Sequence, residues 1–456
     1  MADTPTAGIV TVMRMALHQL HEHIDQHNER LRDQLIHWRR DLHRHPELSN
    51  REFRTAALVA HHLQSLGLEV QTGVAHTGVV GLLKGEQPGP VVALRADMDA
   101  LPITEAVDLP FASSVTAMFE GREVGVMHAC GHDCHTAILM TVAQVLAGCR
   151  ESLPGTFKFI FQPAEESPPR GEEGGAELMI REGVLDNPRP EVIFGLHVFA
   201  GMESGTLSYR EGPAMASSDT LRIIIEGRQT HGAMPWYGVD PIVVASQVVL
   251  GLQTIQSRQL DVTHEPSILT VGSIQGGVRD NIIPERVELL GTIRTFDEAM
   301  RRDIARRVTT TAEKIAESAG ARAHVHIERG YAVTSNHSAL TRAMAPTLAR
   351  VAGPGRLLTA RKLTGSEDFS SFQERIPGLF FFLGITPRDT PRDQVAPNHS
   401  AHFCVDESAL PLGARALAHL AVDYCFARNN QVPMTESGLS DMDSIPSSIS
   451  QRARSG

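Results

Sequence analysis

Pro90-Val-Val-Ala-Leu-Arg-Ala-Asp-Met-Asp99 is an apolar run that ends in two acids. A Gly/Pro turn precedes it, and before that turn lies a similar run, Gly78-Val-Val-Gly-Leu-Leu-Lys84. Two short apolar runs parted by such a turn read as strands. The texture recurs at Gly155-Thr-Phe-Lys-Phe-Ile-Phe161, at Glu191-Val-Ile-Phe-Gly-Leu196 and at Leu379-Phe-Phe-Phe-Leu383. Between these runs, Thr136–Leu146 and Gly174–Glu182 read as helices, and 338–351 and 409–426 add two more. Strands that alternate with helices imply an α/β fold, a mostly parallel sheet flanked by helices.

The ends of the strands carry polar groups. The run from Val91 reaches Asp97 and Asp99, the run from Thr156 reaches Glu165-Glu166, and the run from Val192 is expected to end at His197. Ligands of open α/β sheets bind beyond the carboxyl ends of the strands. The three ends therefore point to one shared site. The stretch Met127-His-Ala-Cys130-Gly-His132-Asp-Cys-His135, just before the helix at Thr136, offers further metal-binding groups to it.

From Gly212-Pro213 the pattern changes to strand 220–226, helix 241–257, strands 267–273 and 285–295, helix 297–318 and strand 323–328. This βαββαβ order is the split ferredoxin-like unit, here inserted because the α/β texture resumes afterwards. The expected organisation is a catalytic domain in two parts, 31–212 and 331–428, an inserted domain at 213–330, and a flexible tail at 429–456. Residues 18–45 hold seven histidines among polar neighbours and read as a solvated helix stopped by Pro46. Ser49 and Glu52 have capping-box spacing for a helix from about Asn50 to Ser65.

Composition narrows the classes. The chain has 456 residues, 42% hydrophobic and 21% charged, the profile of a folded globular protein long enough for two domains. Its net charge of −11 comes with no basic stripe, which argues against nucleic acid and membrane surfaces as partners. No apolar run approaches membrane-spanning length, and the N-terminus lacks a cationic start, so a cytoplasmic location is expected. Five cysteines are too few for a disulfide framework. Cys149 and Cys425 sit in apolar helical stretches and read as small buried hydrophobes.

A two-metal hydrolase needs a ring of oxygen, nitrogen or sulfur ligands and a general base beside them. The residues available are Cys130 and His132, Glu166, His197 and a late histidine in Asn398-His399-Ser-Ala-His402-Phe-Cys404. Adjacent residues at a strand end point in different directions, so one of Glu165-Glu166 can coordinate while the other acts as base. The plainer alternative is a charge pair that caps the next helix. His197, in apolar surroundings, is equally read as a hydrogen-bonded core residue. Asp97 and Asp99 either orient a liganding histidine or hold the turn before Pro102. His231, in Thr230-His-Gly-Ala-Met-Pro235, can donate to a developing oxyanion or lie idle on a surface loop.

Together the segments resemble the co-catalytic metallo-amidohydrolases: hippurate hydrolases, N-acyl-L-amino-acid amidohydrolases and auxin-conjugate hydrolases. The resemblance is carried by Leu42-His-Arg-His-Pro-Glu-Leu48, Arg95-Ala-Asp-Met-Asp-Ala-Leu-Pro102, His128-Ala-Cys-Gly-His-Asp133 and Phe161-Gln-Pro-Ala-Glu-Glu166. It continues through Gly195-Leu-His197, His231-Gly-Ala-Met-Pro235, Asn281-Ile-Ile-Pro284, Gly291-Thr-Ile-Arg294 and Gly365-Ser-Glu-Asp-Phe369. It implies Cys130, His132, Glu166, His197 and His399 as ligands of two divalent ions (manganese, zinc, cobalt or nickel), with Glu165 as general base. It implies His231 as an oxyanion donor delivered across a homodimer by the inserted domain, and Asn281 and Arg294 as contacts to a substrate carboxylate. Wider relatives have His-x-Asp where this chain has Arg95-Ala-Asp97 and an acid at Cys130, and both departures are typical of the hippurate-hydrolase branch. Arg228-Gln-Thr230 and Trp236 depart from that branch on the substrate side.

The expected activity is hydrolysis of N-acyl or N-aroyl amino acids to a carboxylic acid and a free amino acid. The neighbouring alternative is a dipeptidase or N-acetyl-diaminopimelate-type deacetylase. The alternative of another class is a non-catalytic metal-binding or thiol-sensing protein on the same fold.

Overall fold

The computed structural model describes residues 5–429; the expected flexible tail lies outside them, apart from Asn429. In chain order the elements are α1 (Pro5–Arg30), α2 (Arg32–Arg44), α3 (Phe53–Ser65), β1 (Glu69–Val74), β2 (Gly78–Lys84) and β3 (Gln87–Asp97). Then come α4 (His132–Gly148), β4 (Pro154–Gln162), α5 (Gly175–Arg181), β5 (Val192–Glu203) and β6 (Leu207–Tyr209). The inserted stretch holds β7 (Asp219–Glu226), α6 (Pro241–Thr254), β8 (Ser267–Gly276), β9 (Arg286–Thr295), α7 (Glu298–Ser318) and β10 (Arg322–Arg329). The chain returns with α8 (Ser338–Ala352), β11 (Leu357–Thr359), β12 (Gly378–Thr386) and α9 (Leu410–Asn429).

The main sheet runs β1-β2-β4-β3-β5-β12-β6-β11. Its four central strands, β4, β3, β5 and β12, are mutually parallel. Both faces of these strands are covered, which is why they read as unbroken apolar runs. Alternate side chains serve different cores: Phe157, Phe159 and Phe161 join the cluster beneath α4 and α9, while Ile160 faces the cluster of Met179, Phe369 and Phe372. The inserted strands form a separate antiparallel sheet, β8-β9-β7-β10, the strand order of the split βαββαβ unit. That sheet packs α6 and α7 over its own apolar cluster, centred on Ile223, Leu289 and Ile304.

Four local expectations are corrected. Ser49 does not cap α3: its hydroxyl donates to Asp99 Oδ2 at 2.7 Å, and Glu52 turns inward to accept from Ala164 N at 3.0 Å. The capping spacing is real, but buried partners outcompete the helix end for both side chains. The histidine-rich segment is two helices rather than one solvated helix, and its inner face is buried. His43 lies at Asp133 Oδ2 (2.8 Å) and Glu105 Oε1 (3.1 Å), acids far away in sequence. The apolar helix begins at His132, four residues before Thr136. Finally, β5 does not end at His197 but runs on to Glu203. Its pairing with β3 stops at Gly195, however, while that with β12 continues, so His197 sits where two neighbouring strands part.

Candidate metal centre and catalytic cavity

The opening of α4 sets two of the expected ligands. Gly131, between Cys130 and His132, adopts φ +92°, and a Cβ there would lie 2.3 Å from Val198 Cγ2. Only glycine permits that close turn. It places Cys130 just before the helix and His132 at its first residue. His132 Nδ1 donates to Asp99 Oδ1 at 3.2 Å, which leaves Nε2 facing inward. His197 Nδ1 likewise donates to Val198 O at 2.6 Å and frees its Nε2, 3.4 Å from Cys130 Sγ. His399 arrives from the late loop with φ +69°, its Nε2 3.2 Å from Cys130 Sγ and 3.0 Å from Glu166 Oε1.

Two overlapping groups of ligand atoms result. Cys130, His132 and His197 form one; Cys130, Glu166 and His399 form the other; within each the atoms lie within 4.8 Å of one another. Cys130 belongs to both. Among the described residues, His132 Nε2 and Glu166 Oε1 are buried with no hydrogen-bond partner, the approach of His399 Nε2 to Glu166 Oε1 at 3.0 Å being an ion-pair contact rather than an aligned hydrogen bond. Buried polar atoms are seldom left unpaired unless an ion or water completes them. Their nitrogen, sulfur and carboxylate chemistry suits borderline divalent ions. The residues fit a two-ion centre.

Electrostatics give the same reading. Burial pushes the Cys130 thiol well above its ordinary pKa, and Glu166 and Glu165 push it further. Burial does the same to Glu165, reinforced by Glu367, Glu166 and Asp368. So many acids sharing one buried space repel each other until a cation is present. Burial by itself lowers the His132 pKa, but Asp97 and Asp99 outweigh it and raise the value to about 10.

Behind the ligands lies a layer that sequence reading located only in part. Asp97 Oδ1 accepts from His135 Nδ1 at 2.5 Å, not from His132, and Asp97 Oδ2 takes Arg95 Nη1 at 2.7 Å. Buried Arg95 also reaches Asp368 Oδ1 (2.9 Å) and Glu367 Oε1 (3.0 Å). Arginine at this position therefore supplies a fixed charge that binds three acids together. Asn398 joins the converging segments: its Nδ2 donates to Cys130 O and Val198 O, and its Oδ1 accepts from Ala200 N. Nothing local marks Asn398 or Glu367 for these positions; only their place within Asn398–Cys404 and Gly365–Phe369 could have suggested them.

A cavity of about 420 Å³ opens over the cluster. Cys130, Glu165, Glu166, His197 and His399 line it, with Arg294 and Tyr331 at one side and Phe199, Met215 and Phe382 as an apolar wall. Arg294 Nη1 donates to Ser366 Oγ at 2.9 Å. A larger groove, about 620 Å³, lies around Arg189 and Pro377 at the opposite ends of β5 and β12, but it holds no group of ligand atoms. His231 and Asn281 are not among the residues lining the catalytic cavity. They are exposed at the end of the ribbon of Thr230–His231 and Ile282–Ile283, where His231 pairs with Ile282 and Asn281 O accepts from Gly232 N at 2.8 Å. His402 and Cys404 are exposed too and line a different groove, so of the three candidate ligands in the late stretch only His399 reaches the site.

The sequence profile described as Peptidase family M20/M25/M40 matches residues 93–423. The chain is 40% identical over 399 residues to thermostable carboxypeptidase 1 of Saccharolobus solfataricus, covering 86% of this chain and 96% of that one. It is 41% identical over 316 residues to an N-acyl-L-amino acid amidohydrolase of Geobacillus stearothermophilus, covering 69% and 81%. The solved structure of the Bacillus subtilis YXEP protein, described as a dinuclear metal-binding peptidase from family M20, superimposes with a TM-score of 0.73 at 35% identity, covering 87% of this chain and 99% of that one.

Proposed function

The chain belongs to peptidase family M20/M25/M40 and is a hydrolase acting on amides, and from that premise we propose that it cleaves N-acyl or N-aroyl amino acids. The observation that carries this reading is Cys130 Sγ shared between the His132–His197 and Glu166–His399 groups, with Glu165 beside them. We assign Cys130, His132, Glu166, His197 and His399 to two divalent ions, which when bound polarise a carbonyl and acidify water.

The chain's own groups do the rest. Glu165, buried beside the ligand groups, takes a proton from water and returns it to the leaving amine. Asp99 holds His132 in the tautomer that presents Nε2. Arg294, kept in place by Ser366, offers a planar fork to a substrate carboxylate. Phe199, Met215 and Phe382 give an acyl or aroyl group an apolar wall that excludes water. His231 and Asn281 act on the cavity of a second copy, which makes the working unit a homodimer joined through the inserted unit. Exposed Ile242, Val243 and Leu250 on α6 supply an apolar face for that contact. Among the described residues no helix is long and apolar enough to cross a membrane, and all five cysteines are free; a cytoplasmic location suits those thiols.

A second reading, a dipeptidase or carboxypeptidase, draws support from the Saccharolobus relative's name. The test is a panel of hippurate, acetyl-, long-acyl- and indole-acetyl-amino acids and dipeptides. It is run on metal-free protein reconstituted with zinc, manganese, cobalt or nickel. Release of acid and amino acid from the acylated substrates, with two ions bound per chain, is expected. Turnover of dipeptides alone would transfer the assignment to the second reading.

A further inference from the structure

Glu165 lies in a main-chain segment of unusual conformation. Ala164 before it has φ +53° and Ser167 after Glu166 has φ +92°, both in the left-handed region that L side chains rarely adopt. Such a backbone persists only where its surroundings over-determine it. Three of its amides are held by buried carboxylates from the α/β region. Ala164 N donates to Glu52 Oε1, Glu165 N to Asp99 Oδ1 and Glu166 N to Asp99 Oδ2, each at 3.0 Å.

The fourth grip comes from elsewhere. Tyr331 Oη donates to Glu165 O at 2.7 Å. Tyr331 lies just past β10, where the chain leaves the inserted sheet, and it is bound there to the segment by which the chain enters. Ser218 N donates to Tyr331 O at 3.0 Å, Gly330 N to Ser218 O at 2.9 Å, and Tyr331 N to Ser218 Oγ at 3.2 Å. The entering and leaving strands thus form one joint, and the phenol reaches from it into the catalytic cavity. Burial, with Asp368 and Glu165 adding to it, keeps the phenol's pKa well above its ordinary value, so it remains a donor.

Glu165 C=O and Glu166 N–H are the two polar ends of a single peptide plane. Asp99 holds one end and Tyr331 the other. A plane gripped at one end can still rock about its chain axis, while one gripped at both is fixed. The tilt of this plane sets how far the Glu165 and Glu166 side chains diverge. We propose that Tyr331 is a positioning residue for the amide hydrolysis, its hydroxyl fixing the Glu165–Glu166 peptide plane and so coupling the joint of the inserted unit to the direction of the Glu165 carboxylate. The proposal rests on Glu165 as the proton carrier of the function above.

The test is Tyr331→Phe in the full-length, metal-reconstituted protein with hippurate, and in the metal-free protein by hydrogen exchange of the peptide spanning 162–168. The expected result is a fall in kcat of about tenfold, equivalent to about 1.4 kcal/mol, with KM within about twofold and metal content unchanged. Faster exchange at the Glu165 and Glu166 amides is expected without metal. Ser218→Ala, which removes the acceptor for Tyr331 N and keeps the phenol, should shift kcat and exchange the same way by less. An unchanged kcat with unchanged exchange overturns the proposal. So does a parallel loss of kcat, metal and thermal stability, which would make the phenol a packing group. Full activity in Glu165→Gln would instead remove the proton-carrier reading, while accelerated exchange in Tyr331→Phe would still report the clamp.

Discussion

Glu165 is buried among Glu367, Glu166 and Asp368, with its main chain gripped by Asp99 and Tyr331, whereas His231 stands in solvent on a two-residue ribbon, its Nδ1 turned back onto Ala233 N at 3.0 Å. The resemblance names both as catalytic. Their surroundings differ because the two regions solve different problems. The α/β region must collect repelling acids, a thiol and imidazoles around cations, so it fixes each with buried partners before any ion or substrate arrives. The inserted unit presents His231 and Asn281 at exposed positions outside the lining of the cavity over Cys130, the placement that the proposed action on a second copy requires.

The largest expected effect breaks the buried side of this contrast. Glu165→Gln should retain both metal ions yet lose about 10³-fold in kcat, whereas Cys130→Ala should lose metal in elemental analysis. Near-normal turnover in the first, or unchanged stoichiometry in the second, would show that the buried cluster has been misread. The exposed side is sharpened by mixing. His231→Ala alone should be nearly inactive, and mixed with Glu165→Gln it should recover about a quarter of the wild-type rate, the share set by random pairing of subunits. If nothing is regained, His231 does not act across subunits.

The smallest effect concerns the outer edge of the α/β region, where α1 docks on α9. Asp25 accepts from His419 Nε2 at 2.8 Å and Arg415 Nε at 2.9 Å. Burial opposes its ionisation, but His419 and Arg415 prevail and draw its pKa from 3.8 to about 2. A carboxyl depressed on folding contributes stability above its unfolded pKa and loses it as pH falls through the folded one. Asp25→Asn should therefore lower Tm by about a degree near neutrality, the small change expected of a half-exposed pair. That gap should close as pH drops from about 4 towards 2. A gap constant from pH 7 to pH 3 would remove the Asp25 charge from the account.

Much of the site was legible because strongly constrained chemistry leaves local marks. Cys130-Gly-His132 announces a turn into a helix, and Gly131 is where that turn needs a left-handed residue. The strands of the main sheet were readable from apolar runs, since burial on both faces removes the alternation that would otherwise blur them. Ser49 and Glu52 misled for the opposite reason. Their spacing satisfies a local rule, while their partners, Asp99 and Ala164, are far away in the chain. The histidines of 18–45 misled in the same manner, because the acids that bury His43 come from Glu105 and Asp133.

The sequence by itself determined the α/β class and the inserted βαββαβ order, because strand burial and element order are properties of short segments; the ligand set Cys130, His132, Glu166, His197 and His399 follows from the resemblance. Only the tertiary structure decided that His197 lies where β5 parts from β3, that Arg95 gathers Asp97, Glu367 and Asp368, and that Tyr331 reaches Glu165 from the joint of the inserted unit. Apart from Arg95 with Asp97, those are contacts between residues a hundred or more positions apart. No local pattern encodes the long-range ones, since their energy exists only once distant segments have been brought together by the fold.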